Sequence, residues 1–342
     1  MSGDVRGPGT RTRTVVTGAA GFIGIHLTNA LRHSGKNVVG IDRRDTWTDG
    51  ELELSPDAGS LRAVHGDLVS MDLKDCLENA EVVFHLAALP GVRPSWTQFP
   101  DYLHSNVLAT HRLMEACVES GVPRVVIASS SSVYGGAQGA MSEDHLPRPM
   151  SPYGVTKLAA ERLALAFAER GDAALSVHAL RFFTVYGPGQ RPDMFISRMI
   201  RATLENKPIR IYGDGTQIRD FIHVSDIVRA LVLAGTGAVA DNGAGDVLNV
   251  GTGHSVSVNE VLALTGELTG IRPEARYGAA RLGDVGATAA DTSRAQRRLG
   301  FSAAMNLRAG LADQIEWTRQ SLAGTLPPAS GTPVKMAPTH GS

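Results

Sequence analysis

The residues best suited to chemistry are Tyr153 and Lys157, in the segment YGVTK. A spacing of four puts both side chains on one face of a helix. A tyrosine with its ordinary pKa near 10 is a poor base at neutral pH. A neighbouring ammonium favours the phenolate and makes it a better one. Such a pair also occurs on plain solvated helix faces, so its context matters. Lysine is scarce here: of 33 basic residues only Lys36, Lys74, Lys157, Lys207 and Lys335 are lysine. Upstream, Ser129–Ser132 precede Val133, Tyr134 and Gly135 directly after the apolar run RVVIA. A serine hydroxyl there can hydrogen-bond an alcohol that is gaining or losing a proton. The set fits proton transfer at a carbinol.

A second cluster opens the chain. Gly18, Gly21 and Gly24 follow the apolar run TVVT, with Phe22 and Ile23 between the last two. Glycines at this spacing allow a tight turn, a close backbone approach to a pyrophosphate and close helix–strand packing, and the helix N-terminus that follows favours anions. Taken alone the triplet is an ordinary strand–helix turn. Asp42, 18 residues past Gly24, closes the next strand and can accept both hydroxyls of an adenosine ribose. It would repel a 2′-phosphate, which favours NAD over NADP. Arg43 and Arg44 beside it argue the other way. Asp67-Leu68 follows a third strand and could hold an adenine amine, or be a plain Gly-Asp turn. Leu86-Ala87-Ala88 ends a fourth strand with small residues that let a cofactor lie close. A nicotinamide cofactor carries positive charge when oxidised, which would add to the lysine's effect on Tyr153.

The elements that must position these residues follow a strand–helix alternation. Strands are expected at Thr14–Thr17, Asn37–Ile41, Glu81–Leu86, Arg124–Ser129 and Val177–Phe183. Helices are expected at Gly24–His33, Ser105–Glu119 and Pro152–Ala168. Short connections imply parallel pairing, and strands that are apolar throughout imply burial on both faces. The expected fold is α/β, a Rossmann-type parallel sheet flanked by helices, with a smaller C-terminal substrate-binding lobe. Residues 1–12 read as a loose N-terminus, 13–183 as the nucleotide domain with 220–251 returning to it, 184–219 and 252–321 as the lobe, and 322–342 as a disordered tail.

Composition narrows the function. The formal net charge of the 342-residue chain is −1, which offers no field for nucleic acid. No apolar run reaches the roughly 20 residues of a membrane span. The first residues lack a signal-peptide core, and the two cysteines, Cys76 and Cys117, fit a reducing compartment, so a cytoplasmic location is expected. No histidine or cysteine spacing reads as a metal site. His223 reads as structural.

Jointly, VTGAAGFIG, GID, GDL, HLAA, SSSSVYG, YGVTK, RFFTVYGPGQRPDM, GDGTQIRDFIHVSDI and RLGD resemble the extended short-chain dehydrogenase/reductase family, over roughly residues 13–320. Within it the chain is similar to the NAD-dependent nucleotide-sugar epimerases and dehydratases. The resemblance implies a catalytic set of Ser130, Tyr153 and Lys157, with Tyr153 taking the sugar 4-OH proton while NAD takes the C4 hydride. The implied cofactor set is Gly18, Gly21, Phe22, Ile23, Gly24, Asp42, Arg43, Asp67, Leu68, Leu86, Ala87, Ala88, Asn106, Tyr153 and Lys157. It also implies a homodimer paired through the helices Ser105–Glu119 and Pro152–Ala168.

The substrate expected from this resemblance is a UDP-sugar. Arg191, Arg219 and Arg281 are candidates to hold its diphosphate, because a guanidinium pairs bidentately with phosphate oxygens; each taken singly reads as a surface residue. Asp284 would lie near the uridine ribose, and the PIRIY segment, residues 208–212, near the base. Dehydratases of the family carry an Asp-Glu pair in the serine loop, and decarboxylases a Glu before Val-Tyr-Gly. Here Ser131 and Ser132 stand at those positions, which suits a 4-epimerase. The combination looks most like the UDP-glucuronate 4-epimerases, with Ser130, Ser131, Ser132 and Thr184 holding a C6 carboxylate and Arg191 nearby. Other readings are a neutral-sugar 4-epimerase, a dehydratase or decarboxylase, and a non-catalytic nucleotide sensor on the same fold. The role of Arg93 in GVRPSW stays open.

Overall fold

Val15 and Val16 are neighbours in the first strand, and both are fully buried. Val15 packs with Val39, Leu113 and Ala164. Val16 packs with Leu27, Leu231 and Phe301 on the other side. A strand that buries consecutive residues is covered on both faces, and each buried side chain of this kind contributes about 1.5–3 kcal/mol.

The computed structural model describes residues 13–44, 58–136, 139–170, 174–237, 245–279 and 288–325. The first half runs β1 (Arg13–Thr17), α1 (Phe22–His33), β2 (Asn37–Asp42), β3 (Leu61–His65), α2 (Lys74–Leu77), β4 (Ala80–His85), α3 (Phe99–Tyr102), α4 (Ala109–Glu119) and β5 (Arg124–Ser130). Then come β6 (Ala140–Met141), α5 (Pro152–Glu169), β7 (Ser176–Phe182), β8 (Thr184–Tyr186), α6 (Phe195–Leu204), β9 (Ile209–Tyr212), β10 (Ile218–His223) and α7 (Val224–Thr236). The chain continues with β11 (Gly245–Val250), β12 (Ser255–Ser257), α8 (Val258–Thr269), β13 (Ala275–Gly278), β14 (Ala289–Ala290), α9 (Ser293–Leu299) and α10 (Leu307–Leu322).

Seven strands form one sheet in the order β11-β7-β5-β4-β1-β2-β3, and every pairing in it is parallel. The order reverses at β1, between β4 and β2, and open α/β sheets bind ligands in the crevice beyond such a point. β11 pairs with β7 although the polypeptide has by then passed through the lobe. The lobe holds a three-stranded sheet, β12-β10-β8, and the pair β13-β9. Its own core includes Ile196, Met199, Phe221, Val261, Leu311 and Ile315.

Three expectations shift. α1 begins at Phe22, two residues before Gly24, because Gly21 already has extended backbone and serves as the N-cap. The helix expected over Ser105–Glu119 starts as a π-helical turn, Leu103–Leu108, before α4. There Asn106 spends its side chain outside the helix, as described below, and π turns cluster at functional sites. Residues 322–325, placed in the expected tail, are ordered. α10 reaches Leu322, and Thr325 N–H still donates to Gln320 O. Residues 326–342 lie outside the described residues. No helix among the described residues is long and apolar enough to cross a membrane.

Candidate active site

Gly18 makes the turn after β1 at φ +68°, and a Cβ there would lie 2.7 Å from the backbone nitrogen of Ala87. Only glycine lets the first loop pass against the Leu86–Ala88 segment that follows β4. Beyond the turn, α1 starts with no side-chain cap and no acidic residue in its first turn. Its N–H donors and positive dipole end are therefore left for an anion. Phe22 and Ile23 are the first helical residues, both partly exposed. Asp42 ends β2, with Oδ2 accepting from Ala20 N–H at 3.0 Å and Oδ1 from Arg44 N–H at 3.0 Å. Each oxygen keeps acceptor capacity for a ribose hydroxyl.

The two arginines after Asp42 are both engaged. Arg44 donates to Ala20 O at 2.9 Å. Arg43 lies 3.6 Å from Asp67 Oδ2, and His104 Nε2 lies 3.1 Å from the same oxygen. Asp67 Oδ1 accepts from Val69 N–H at 2.9 Å. Burial raises the Asp67 pKa, but Val69, His104 and Arg43 outweigh it and leave the carboxyl below its usual range. The Leu68 side chain is in the core, so only its backbone faces outward. Asn106 is buried: Oδ1 accepts from Leu89 N–H at 2.7 Å, while Nδ2 donates to Leu89 O and to Thr156 Oγ1. It shapes the loop after Ala88. These residues fit a dinucleotide diphosphate and a ribose with free hydroxyls.

The catalytic group is built where α5 meets β5. Ser151 caps α5, accepting from Gly154 N–H at 3.1 Å, and Pro152 fills the first position. A Cβ on Gly154 would lie 2.6 Å from Ser132 O. The glycine therefore lets the first turn of α5 press on the serine loop, beside Ser130. Ser130 is 8 % exposed and caps the short turn Ser131–Val133, accepting from Ser132 N–H at 3.1 Å. Ser131 and Ser132 are partly exposed.

Tyr153 hydrogen-bonds Ser130. Burial pushes its phenol above the ordinary value, while Ser130 and the Arg191 guanidinium pull the other way. The expectation that Lys157 lowers this pKa is not met. The Lys157 ammonium donates to the carbonyl of Ala128, and burial pushes it down to about 8 against the pull of Glu161. In the protein alone the lysine is anchored to the sheet.

Thr184 sits on β8 opposite Phe221 of β10. Arg191 is clamped by Asp193 through two bonds of 2.9 and 2.7 Å, and its charge is felt at both Tyr153 and Tyr102. Arg219 lies on β10, with Nη1 donating to Ile218 O at 2.8 Å. Arg281 and Asp284 lie outside the described residues. Arg93 stacks on the Tyr212 ring at 4.7 Å and so joins the GVRPSW loop to β9 in the PIRIY segment.

Three residues that support the site are not apparent from motif spacing. Ser95 Oγ accepts from Tyr153 N–H at 3.1 Å, the Tyr102 ring meets the Tyr153 ring edge-on at 6.2 Å, and His104 holds Asp67. Glu161 is not singled out in the sequence either, although its place four after Lys157 on the same helix face is a signal that could have found it.

A parallel sheet with an uncapped helix at its switch point, an acid closing β2 and a Ser-Tyr-Lys group where α5 meets β5 defines a nucleotide-binding α/β fold. The chain belongs to the NAD dependent epimerase/dehydratase family, whose model matches residues 14–251. It is similar to MoeE5, solved in complex with UDP-glucose and NAD, at 68 % identity and a TM-score of 0.84, covering 91 % of this chain and 99 % of that one. MoeE5 has also been solved with UDP-glucuronic acid and NAD. It is similar as well to the UDP-glucuronic acid 4-epimerase of Bacillus cereus in complex with UDP-glucuronic acid and NAD, at 38 % identity and a TM-score of 0.83, covering 90 % and 99 %. A Bacillus subtilis protein named as an uncharacterized UDP-glucose epimerase, YtcB, is 40 % identical, over 89 % of this chain and 97 % of its own.

Proposed function

We propose that the protein interconverts UDP-glucuronate and UDP-galacturonate by inversion at C4, using tightly held NAD. The carrying observation is the turn beside Tyr153, in which Ser130, Ser131 and Ser132 present hydroxyls and no carboxylate. The nearby Arg191 charge and the likeness to proteins solved with UDP-glucuronic acid support the same reading.

Bound NAD supplies the hydride acceptor and donor for C4. The chain does the rest. Tyr153 Oη takes the proton of the sugar 4-OH, and Ser130 stabilises the phenolate and orients that hydroxyl. Lys157 contributes a fixed positive charge under the reacting edge. The same tyrosine returns its proton after the 4-keto sugar has presented its other face. That intermediate is a β-keto acid. Hydrogen bonds from Ser131, Ser132, Thr184 and Arg191 keep its carboxylate solvated in polar contacts, which slows loss of CO₂. Gly18, the α1 N-terminus and Asp42 hold the dinucleotide, and Arg219, Arg281 and Asp284 hold the UDP portion.

Ser132→Glu tests the carboxylate pocket. Turnover of UDP-glucuronate should fall at least tenfold more than turnover of UDP-glucose, because like charges at close range are costly; equal losses would contradict the pocket. The second reading, a UDP-glucose 4-epimerase, is favoured by the name of the B. subtilis relative and by the MoeE5 complex with UDP-glucose. The same catalytic set would serve it, and side-by-side turnover separates the two.

The proposal extends to a cytoplasmic homodimer. Leu108 beside α4 and Val155 on α5 are exposed apolar side chains, 44 % and 47 %, on the two helices through which the family resemblance implies pairing. Sedimentation of the intact chain tests it.

A further inference from the structure

Beneath Lys157 lies a buried ionic group that the reaction itself does not use. Glu161 and Arg181 are 0 % and 1 % exposed. Glu161 Oε2 accepts from Arg181 Nε at 2.9 Å and from Ser129 Oγ at 2.7 Å, and Oε1 accepts from Arg181 Nη2 at 2.6 Å. The third guanidinium nitrogen donates to Tyr134 Oη at 2.8 Å, and that hydroxyl donates to Asn249 Oδ1 at 2.7 Å.

The pattern is a two-rung ladder between α5 and β5. Lys157 binds the carbonyl of Ala128, and one helical turn later Glu161 binds the hydroxyl of the next residue, Ser129. Arg181, from β7, fixes the carboxylate from the far side. An ion pair this deep costs desolvation, and apolar residues of equal size often give a protein no less stable.

We propose that Glu161 is a positioning residue: its clamped carboxylate, one turn from Lys157, keeps the ammonium charged and aimed at the sheet edge where Tyr153 works. The other groups facing Lys157 cannot do this. His85, from β4, has its ring nitrogens on Thr17 and Thr110, and burial pushes its pKa to about 3, so it is neutral. Arg181 is a cation, Tyr153 is neutral as the phenol, and Ser129, Ser130, Thr110 and Asn106 carry no charge. Burial alone drives Lys157 toward the free amine, and the Glu161 charge opposes it.

The scarcity of lysine makes the test direct. With lysine labelled at ¹³Cε, five signals are expected, and Lys157→Arg identifies the one of interest. In Glu161→Gln the Lys157 titration midpoint should fall by about one pH unit, the size of effect a near opposite charge exerts. The other four should not move, and the alkaline limb of the kcat profile should fall with the midpoint. If Glu161→Gln does not fold, because Arg181 is left unpaired, the double variant Glu161→Gln/Arg181→Met removes both charges and should still shift the midpoint downward, by less than the single variant because the Arg181 cation goes too. An unmoved midpoint in whichever variant folds would overturn the proposal. Failure of both to fold would also overturn it, since it would make the pair a structural necessity. The readout needs no substrate, so it stands apart from the choice of sugar.

Discussion

The two ends of the site are held in different ways. Beneath Tyr153 the charged and hydroxyl groups are buried and bound to neighbours: Ser130, Lys157, Glu161 and Arg181 are each at most 8 % exposed, while Tyr153, Ser131 and Ser132 are partly exposed toward the cleft. At the Arg191 end the guanidinium is held by Asp193, itself 54 % exposed. A dry end fixes charges where the proton moves, because Coulomb forces are strong there. A wet end holds a ligand that must enter, turn over and leave.

This contrast can be broken in order of expected effect. Tyr153→Phe removes the proton carrier from the dry end. It should lower kcat by about 10²–10⁴ with sugar binding by calorimetry kept; a loss of under tenfold would place the base elsewhere. Arg181→Ala leaves Glu161 charged and unpaired, and should cost about 3–5 kcal/mol in urea unfolding. A cost below about 1 kcal/mol would mean that water reaches the pair. Asp193→Asn at the wet end should change stability by less than about 1 kcal/mol while altering KM, since it releases Arg191. A large stability loss there would erase the distinction between the two ends.

At the dry end Ser130, Tyr153 and Lys157 were legible in the sequence, while Glu161 and Arg181 were not. Glycine spacing, apolar strands and the Tyr–Lys interval are local signals, and each follows from a single element's period. Even there, one inference failed. A spacing of four puts Lys157 on the face of Tyr153, but it does not say that the Ala128 carbonyl takes the ammonium. Hydrogen bonds between elements have no sequence period. For the same reason Ser95 and Tyr102, 58 and 51 residues before Tyr153, could not be read from motif spacing. The lobe was less legible because its strands are short and come from distant segments. Arg93 is the example: it meets Tyr212 only because a loop after β4 reaches β9.

The most direct measurement is proton NMR of the purified protein with UDP-glucuronate in D₂O, without added NAD. The account predicts UDP-galacturonate with the original hydrogen retained at C4, since a hydride carried on carbon by tightly held NAD returns to the same sugar without exchanging with solvent. A UDP-pentose, deuterium at C4, or UDP-glucuronate left unchanged would contradict it.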